Sequence, residues 1–201
     1  MIEFIHKWKA GTRPMTVLVL HGTGGDENDL MPIANAVASG ANFLSPRGMV
    51  SERGANRFFA RNGHGNFDPA EIAARTDEFA AWLKDAEAQY GFDPAHLYAF
   101  GYSNGANMAY ATMLQHPGSI AGAVLLRPMV VIQPNPMPDL NGAPILISAG
   151  AQDGMLPPGG TEALAELLTL ANAKVEVAKH NTGHDLMPDD FSLAKYWLQN
   201  R

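Results

Sequence analysis

The chain alternates short apolar runs with segments of helical periodicity. Apolar residues recur every three or four positions around Leu30–Val37, Ile72–Ala86, Leu164–Ala171 and Phe191–Leu198, and a further helical pattern follows Gly105. Between these segments lie six strand-like runs, at residues 16–20, 41–45, 96–100, 120–126, 144–150 and 174–178. This alternation predicts an α/β fold with a mostly parallel central sheet and helices on both faces.

The second helical segment carries its own boundary signals. Asp68 can cap the free amides at its start, Pro69 suits the first turn, and Glu71 occupies the position of a capping-box acid. Gly91 offers a stop at the other end. The pattern therefore predicts a helix between Asp68 and Gly91.

Two longer segments interrupt the alternation. Residues 47–68 and 128–142 are rich in Gly, Pro and Asn and carry apolar side chains as well. In a compact α/β domain such loops usually shape a binding site, although plain surface connections are the alternative.

Composition narrows the classes of protein. The chain has 201 residues, 46% of them hydrophobic, which suits one domain over residues 1–201. A formal charge of −6 disfavours binding to nucleic acid or anionic membranes. Cysteine is absent, which excludes disulfides and thiolate catalysis. No secretory signal and no run of about 18 apolar residues is found, so we expect no stable membrane insertion and a cytoplasmic location.

A single serine stands between two glycines directly after an apolar run. Gly101, Ser103 and Gly105 form the pattern G-x-S-x-G, with strand-like residues 96–100 before it and a helical pattern behind it. In this context the motif is typical of a nucleophile elbow, a sharp turn that exposes a serine hydroxyl. Side chains two positions before or after the serine would collide with neighbouring elements, which favours glycine there. We interpret Ser103 as a nucleophile, and an ordinary turn serine is the alternative.

A nucleophilic serine needs a base to take its proton and an acid to orient that base. On a parallel sheet these groups come from loops at the carboxyl ends of later strands. Asp153 follows the run 144–150, and His184 follows the run 174–178. The order Ser, Asp, His is that of the α/β-hydrolases. The predicted catalytic residues are therefore Ser103, Asp153 and His184.

Other candidates for base and acid fit this chemistry less well. His180 lies at the end of its strand, and His21 is interpreted as a residue that braces its loop. His64 could touch a substrate but is interpreted as a solvated loop residue. Asp190 is close in sequence to the predicted base and is interpreted as a cap of the last helix. The remaining histidines are expected to be structural: His6, His96 and His116.

Two backbone amides are predicted to bind the oxyanion of the reaction. One belongs to Asn104, directly after the nucleophile at a helix start, and the other to Thr23 in the loop "HGTGG". The alternative interpretation of that loop, a phosphate cradle, is disfavoured because Glu27 breaks the pattern G-x-G-x-x-G. His180 and His184 form only a loose pair, so we expect no metal and no other cofactor.

Six blocks of the sequence together resemble one enzyme family. They are "LHGTGGDENDL", "RFFARN", "GYSNGANMA", "RPMV", "AGAQDGMLPP" and "NTGHDL". In these blocks the chain is similar to compact bacterial serine esterases of the phospholipase/carboxylesterase group, in the α/β-hydrolase superfamily. The resemblance implies an α/β-hydrolase fold with no large cap domain, a triad of Ser103, Asp153 and His184, and an oxyanion hole at Thr23 and Asn104. Many members have Gln or Met after the serine, so Asn104 is a departure that bears on the acyl pocket.

The sequence thus predicts a serine carboxylesterase that acts on small-molecule esters through an acyl-enzyme. Alternatives are a thioesterase, a lysophospholipase, or a noncatalytic binding protein on the same fold. A homodimer formed through residues 47–68 also stays open. Apolar residues in the site loops indicate an apolar rather than a charged substrate, although each could equally belong to the core. These substrate-wall candidates are Phe58, Phe59, Met129, Met155, Leu156 and Met187.

Overall fold

Strands and helices follow one another through the residues that the computed structural model describes, 3–61 and 67–201. The strands are β1 (His6–Lys9), β2 (Thr16–Leu20), β3 (Asn42–Pro46), β4 (Val50–Glu52), β5 (Ala55–Arg57), β6 (Leu97–Tyr102), β7 (Gly122–Leu126), β8 (Pro144–Gly150) and β9 (Lys174–His180). The helices are α1 (Met31–Val37), α2 (Pro69–Tyr90), α3 (Asn104–Gln115), α4 (Gly160–Leu170) and α5 (Pro188–Gln199). His64 lies outside the described residues, so its interpretation stays a prediction.

Seven strands form one sheet in the order β1-β3-β2-β6-β7-β8-β9. Strand β1 runs antiparallel to β3, and every other neighbouring pair in this sheet is parallel. From β2 the chain moves to one edge of the sheet, and from β6 onward it moves to the other edge. In open α/β sheets, ligands bind at the carboxyl ends of the strands where the winding direction changes. The crevice beyond β2 and β6 is therefore the expected position of a ligand site.

Both faces of the sheet are covered, and each has its own hydrophobic core. Leu18 and Leu20 of β2 face the core shared with α2, α3 and α4, whereas Val17 and Val19 face the core shared with α1 and α5. Strands β2 and β7 are buried along their whole lengths. This two-sided burial explains why they appear in the sequence as continuous apolar runs rather than as alternating ones. The predicted α/β fold with helices on both faces is confirmed.

Helix α2 begins and ends at the predicted residues. The Asp68 carboxylate accepts a hydrogen bond from the Ala70 amide at 2.9 Å, and Gly91 ends the helix in the left-handed conformation with φ 70°. Glu71, predicted as a capping-box acid, instead accepts a hydrogen bond from Arg75 one turn further on, at 3.1 Å.

The two long segments differ from each other in the structure. Residues 128–142 contain neither helix nor strand, as predicted. Residues 47–68 include the hairpin β4–β5, which was not predicted because both strands are short and partly polar. Strand β1 was missed for the same reason, since only Trp8 is apolar in it. None of the helices in the described part of the chain is long and apolar enough to span a membrane.

Candidate active site

Ser103 lies on a strained turn between β6 and α3. Its backbone has φ 52° and ψ −113°, a region that residues with a side chain rarely occupy. A Cβ atom added to Gly101 would lie 2.8 Å from the backbone of Ala106, and one added to Gly105 would lie 2.2 Å from the carbonyl oxygen of Leu20. Both neighbouring positions therefore exclude any side chain, as the nucleophile-elbow interpretation requires.

A continuous chain of hydrogen bonds joins Ser103, His184 and Asp153. His184 Nε2 lies 2.9 Å from Ser103 Oγ, and His184 Nδ1 lies 2.7 Å from Asp153 Oδ2. A proton on Nδ1, facing the carboxylate, leaves Nε2 free to accept the serine proton. The Asp153 side chain is only 2% exposed, and its other oxygen accepts a hydrogen bond from the Met155 amide at 3.0 Å. The structure thus brings the three predicted residues together in an arrangement that can activate a hydroxyl group.

The three residues meet because each one follows a different parallel strand. Ser103 comes directly after β6, Asp153 follows β8, and His184 follows β9. Since the carboxyl ends of parallel strands lie along the same edge of the sheet, residues far apart in sequence converge there.

A buried arginine holds the loop that carries His184. Arg127 donates a hydrogen bond from Nη2 to the Asp185 carbonyl at 2.8 Å and one from Nε to the Gly183 carbonyl at 3.3 Å. Its guanidinium also forms two bonds of 2.8 Å to the Asp190 carboxylate, and both side chains have no exposed surface. Arg127 therefore holds the carbonyl groups of the two residues that flank His184.

Asp190 completes this buried network. Burial by itself would raise the pKa of its carboxyl group, but hydrogen bonds from Arg127, Ser148 and the Met187 amide together lower it. The bond from the Met187 amide, 2.6 Å long, caps helix α5, as the sequence predicted. The pairing with Arg127 was not predicted, although a charged residue directly after the apolar run 120–126 was a signal for it.

The two predicted oxyanion donors lie beside the same cleft as Ser103. Asn104 is the first residue of α3, so its amide has no partner in a preceding helical turn. Within residues 3–61 and 67–201, no hydrogen bond occupies the Thr23 amide. Thr23 and Asn104 line a cavity of about 330 Å³ together with Ser103 and His184. This placement is compatible with two amides that point at a developing oxyanion.

The walls of this cleft are tied to the first turns of helix α3. Asn104 Oδ1 accepts a hydrogen bond from the Phe58 amide at 2.7 Å, and Asn107 Oδ1 accepts one from the Met129 amide at 2.9 Å. One turn further on, the Tyr110 hydroxyl donates to the Met129 carbonyl at 2.9 Å. The segments on both sides of the cleft are thus attached to the helix that begins at Ser103.

The chain matches known proteins over almost its whole length. The model of the phospholipase/carboxylesterase family matches residues 5–200. The chain belongs to the phospholipase/carboxylesterase family. A Bacillus subtilis (strain 168) protein named as the hydrolase MhqD is 34% identical over 194 residues, which cover 96% of this chain and 97% of that protein.

The fold of this chain is similar to solved structures of carboxylesterases. The crystal structure of a Bacillus cereus carboxylesterase has a TM-score of 0.94 and 38% sequence identity, and the match covers 98% of this chain and 94% of that one. A carboxylesterase from Mesorhizobium loti has a TM-score of 0.89 and 36% identity, with coverage of 95% and 91%. The resemblance to esterases of the α/β-hydrolase fold is therefore confirmed, and the relatives are hydrolases and carboxylesterases.

In this phospholipase/carboxylesterase family member, only two of the six predicted wall residues line the cleft, namely Met129 and Met155. Phe58 and Phe59 are 2% and 0% exposed and lie in the core, where Phe58 packs edge-on against Phe79 of α2. Leu156 borders a separate surface cavity behind Asp153. Met187 is 41% exposed at the start of α5 and does not reach the cleft.

Residues other than these six occupy the remaining walls. Phe67 provides an aromatic surface and packs edge-on against Phe59. Tyr102 lies beside His184, with its hydroxyl 3.2 Å from the His184 carbonyl oxygen, and burial raises the pKa of its phenol. Arg57 and Arg61 also line the cleft. The sequence predicts apolar walls, whereas the structure adds two charged side chains to them. The block "RFFARN", which carries part of the family resemblance, was the available signal for both arginines.

His21 and His180, both in the described part of the chain, lie against groups other than Ser103. His21 is buried, its Nε2 accepts a hydrogen bond from the Gly48 amide at 2.9 Å, and its Nδ1 lies 2.7 Å from the Gly22 carbonyl oxygen. This agrees with its interpretation as a loop-bracing residue. His180 Nε2 lies 3.4 Å from Asp190, away from Ser103. Within the described residues, no three His, Asp or Glu side chains form a group that could hold a metal ion.

Proposed function

We propose that this chain is a serine carboxylesterase that hydrolyses small carboxyl esters through an acyl-enzyme at Ser103. The observation that carries this proposal is the chain of hydrogen bonds from Ser103 through His184 to Asp153, which begins on a strained elbow. Membership in a family of carboxylesterases and hydrolases supports the same reaction class. We also propose a cytoplasmic location.

The proposed mechanism has two steps. Ser103 Oγ attacks the ester carbonyl carbon while His184 Nε2 takes its proton, and the amides of Thr23 and Asn104 stabilise the oxyanion. His184 returns the proton to the alcohol as the ester bond breaks. In the second step His184 takes a proton from water, the hydroxide adds to the acyl-enzyme, and the acid leaves as Ser103 regains its proton. Asp153 holds the tautomer of His184 in both steps.

The size of the cleft favours small esters. A volume of about 330 Å³ is at the lower end of the range that ligand pockets cover, about 300–1,000 Å³. A long lipid chain would need to extend beyond these walls. Small esters are therefore proposed as substrates in preference to lysophospholipids.

Replacement of the proposed nucleophile tests the function. Ser103→Ala should lower kcat for a short-chain ester by at least about 10⁴-fold, because without the hydroxyl no acyl-enzyme can form. A fluorophosphonate probe should label the original chain at Ser103 and leave Ser103→Ala unlabelled. Ser192→Ala, which removes an exposed hydroxyl on α5, is the matched control. Activity of the Ser103→Ala variant above a tenth of the original would refute the assignment.

A further inference from the structure

Two guanidinium groups border the cleft that contains Ser103. Arg57 ends strand β5, and Arg61 pairs with Phe67 in a short antiparallel bridge next to it. The Arg57 side chain is 4% exposed, whereas that of Arg61 is 35% exposed. Arg57 thus lies in the wall of the cleft, and Arg61 lies nearer to solvent.

One carboxylate is shared by both arginines. Glu52 Oε2 lies 3.1 Å from Arg57 Nε and 3.6 Å from Arg61 Nε. The cleft residues in the described part of the chain include no Asp or Glu, so one positive charge in this group has no counterion there. Burial lowers the pKa of the Arg57 guanidinium, and the neighbouring charge of Arg61 lowers it further. Glu52 offsets this repulsion in part, and an anion bound beside the two guanidinium groups in the cleft would reduce it further.

The two arginines differ in their other contacts. Arg57 donates from Nη1 to the Thr23 hydroxyl at 2.6 Å and from Nε to the Phe59 carbonyl at 3.1 Å, so it also holds the loop of the proposed oxyanion donor. Arg61 Nε has no hydrogen-bond partner among the described residues. The positive charge at this wall of the cleft is a local feature, since the whole chain has a net charge of −6. A structural role therefore accounts for much of Arg57, whereas the contact of Arg61 with Glu52 is longer and leaves more of the Arg61 side chain open to a ligand.

We propose that the cleft selects esters whose acyl part carries a carboxylate, such as monoesters of short dicarboxylic acids. This inference rests on the proposed esterase function. Guanidinium groups bind carboxylates through paired, charge-assisted hydrogen bonds. The leaving oxygen has to face His184 and the oxyanion has to face Thr23. We therefore place the acyl part toward the arginines, which line the same cleft. The volume of the cleft, about 330 Å³, suits a short acyl part.

A pair of isosteric esters tests the proposal. Monoethyl succinate carries a carboxylate, and ethyl succinamate carries a neutral amide of the same shape. Hydrolysis of the first yields succinate and ethanol from one water molecule. We expect its kcat/KM to exceed that of the amide by at least about tenfold, and we expect the ratio to fall as salt screens the charges.

Variants then assign the preference to the arginines. Arg61→Gln should bring the ratio of the two kcat/KM values close to one, and Arg61→Lys should keep part of the preference. Arg75→Gln removes the same charge from the surface of α2, where Arg75 pairs with Glu71 and Glu78, and should leave the ratio unchanged. Circular dichroism confirms that each variant is folded.

The outcomes separate this inference from the esterase function itself. If no ester is hydrolysed and the fluorophosphonate leaves Ser103 unlabelled, the proposed function fails. If Ser103 is labelled and ethyl succinamate is hydrolysed as fast as monoethyl succinate, the esterase function stands and the anion preference is overturned. A phosphate is the other anion that guanidinium groups bind well. A preference for 1-butyrylglycerol-3-phosphate over 1-butyrylglycerol, without one for monoethyl succinate, would overturn the carboxylate assignment.

Discussion

Replacement of Asp190 by Asn should damage both stability and activity. The substitution keeps the shape of the side chain but removes the charge that pairs with Arg127. An amide also places a donor where the carboxylate now accepts hydrogen bonds from Arg127, Ser148 and the Met187 amide. At least one of these donors then loses its partner in a place that water does not reach.

The structure sets the size of the effect on stability. Both side chains of the pair are 0% exposed, so solvent screening does not reduce the cost of leaving Arg127 unpaired. Removal of one partner of a buried pair costs about 3–5 kcal/mol. In a chain of 201 residues this corresponds to a decrease in Tm of roughly 10 °C. Urea denaturation and thermal unfolding both measure the loss.

The effect on activity follows from the position of His184. Arg127 fixes the carbonyls of Gly183 and Asp185, and a guanidinium without Asp190 can move away from both. A displacement of about 1 Å at a catalytic group can cost about 10²-fold in rate. We expect Asp190→Asn to lower kcat by about that factor, with a smaller change in KM because the cleft walls are untouched.

A double variant separates packing from positioning. Arg127→Met with Asp190→Leu fills the site with apolar groups, and such replacements of buried ion pairs are often neutral or stabilising. Stability should therefore recover in part, because the Met187 amide and the Ser148 hydroxyl still lack their acceptor. The kcat should stay low, since nothing then holds the His184 loop. Glu78→Gln, which breaks a partly exposed pair with Arg75, is the control and should cost less than about 1 kcal/mol. A free energy of unfolding within 1 kcal/mol of the original in Asp190→Asn, together with full activity, would refute this reasoning.

Two further predictions concern the elbow and the loop beside it. Gly105→Ala places a methyl group 2.2 Å from the Leu20 carbonyl, so it should cost about 1–3 kcal/mol in urea denaturation, whereas Gly154→Ala, which meets open space, should not. Burial lowers the pKa of His21 in the folded chain, so its contribution to stability is complete above about pH 6.5 and decreases as the pH falls towards the folded pKa. Unfolding free energies at several pH values between 7.5 and 5 should show a shallower slope for His21→Gln, and an unchanged slope would contradict this account.

The sequence was sufficient for the parts of the fold that local patterns determine. The buried strands β2 and β8 have the predicted bounds because they are apolar along their lengths. The edge strand β1 was missed because its pairing with β3, rather than its own composition, makes it a strand. The single-domain interpretation over residues 1–201 stays a prediction.

The candidate site shows the same division. Gly101, Ser103 and Gly105 are close in sequence, so the sequence alone predicts that a side chain at either glycine would collide with neighbouring backbone. The cleft walls depend on packing between distant segments, so Phe58, which the sequence predicts in the cleft, lies instead in the core against Phe79. Arg127 was missed as a functional residue for a related reason, since its partners lie more than fifty positions away along the chain.

The asparagines at the start of α3 have a mechanical consequence. Because Asn104 and Asn107 attach both flanking segments to the turn that bears Ser103, a displacement of that helix carries the cleft walls and the hydroxyl along as one body. The distance between the cleft walls and Ser103 Oγ then changes little when the strands of the sheet move. His184 and Asp153 are carried by other loops, so relative motion between these two bodies changes the 2.9 Å contact between Ser103 and His184 and the 3.2 Å contact between the Tyr102 hydroxyl and the His184 carbonyl.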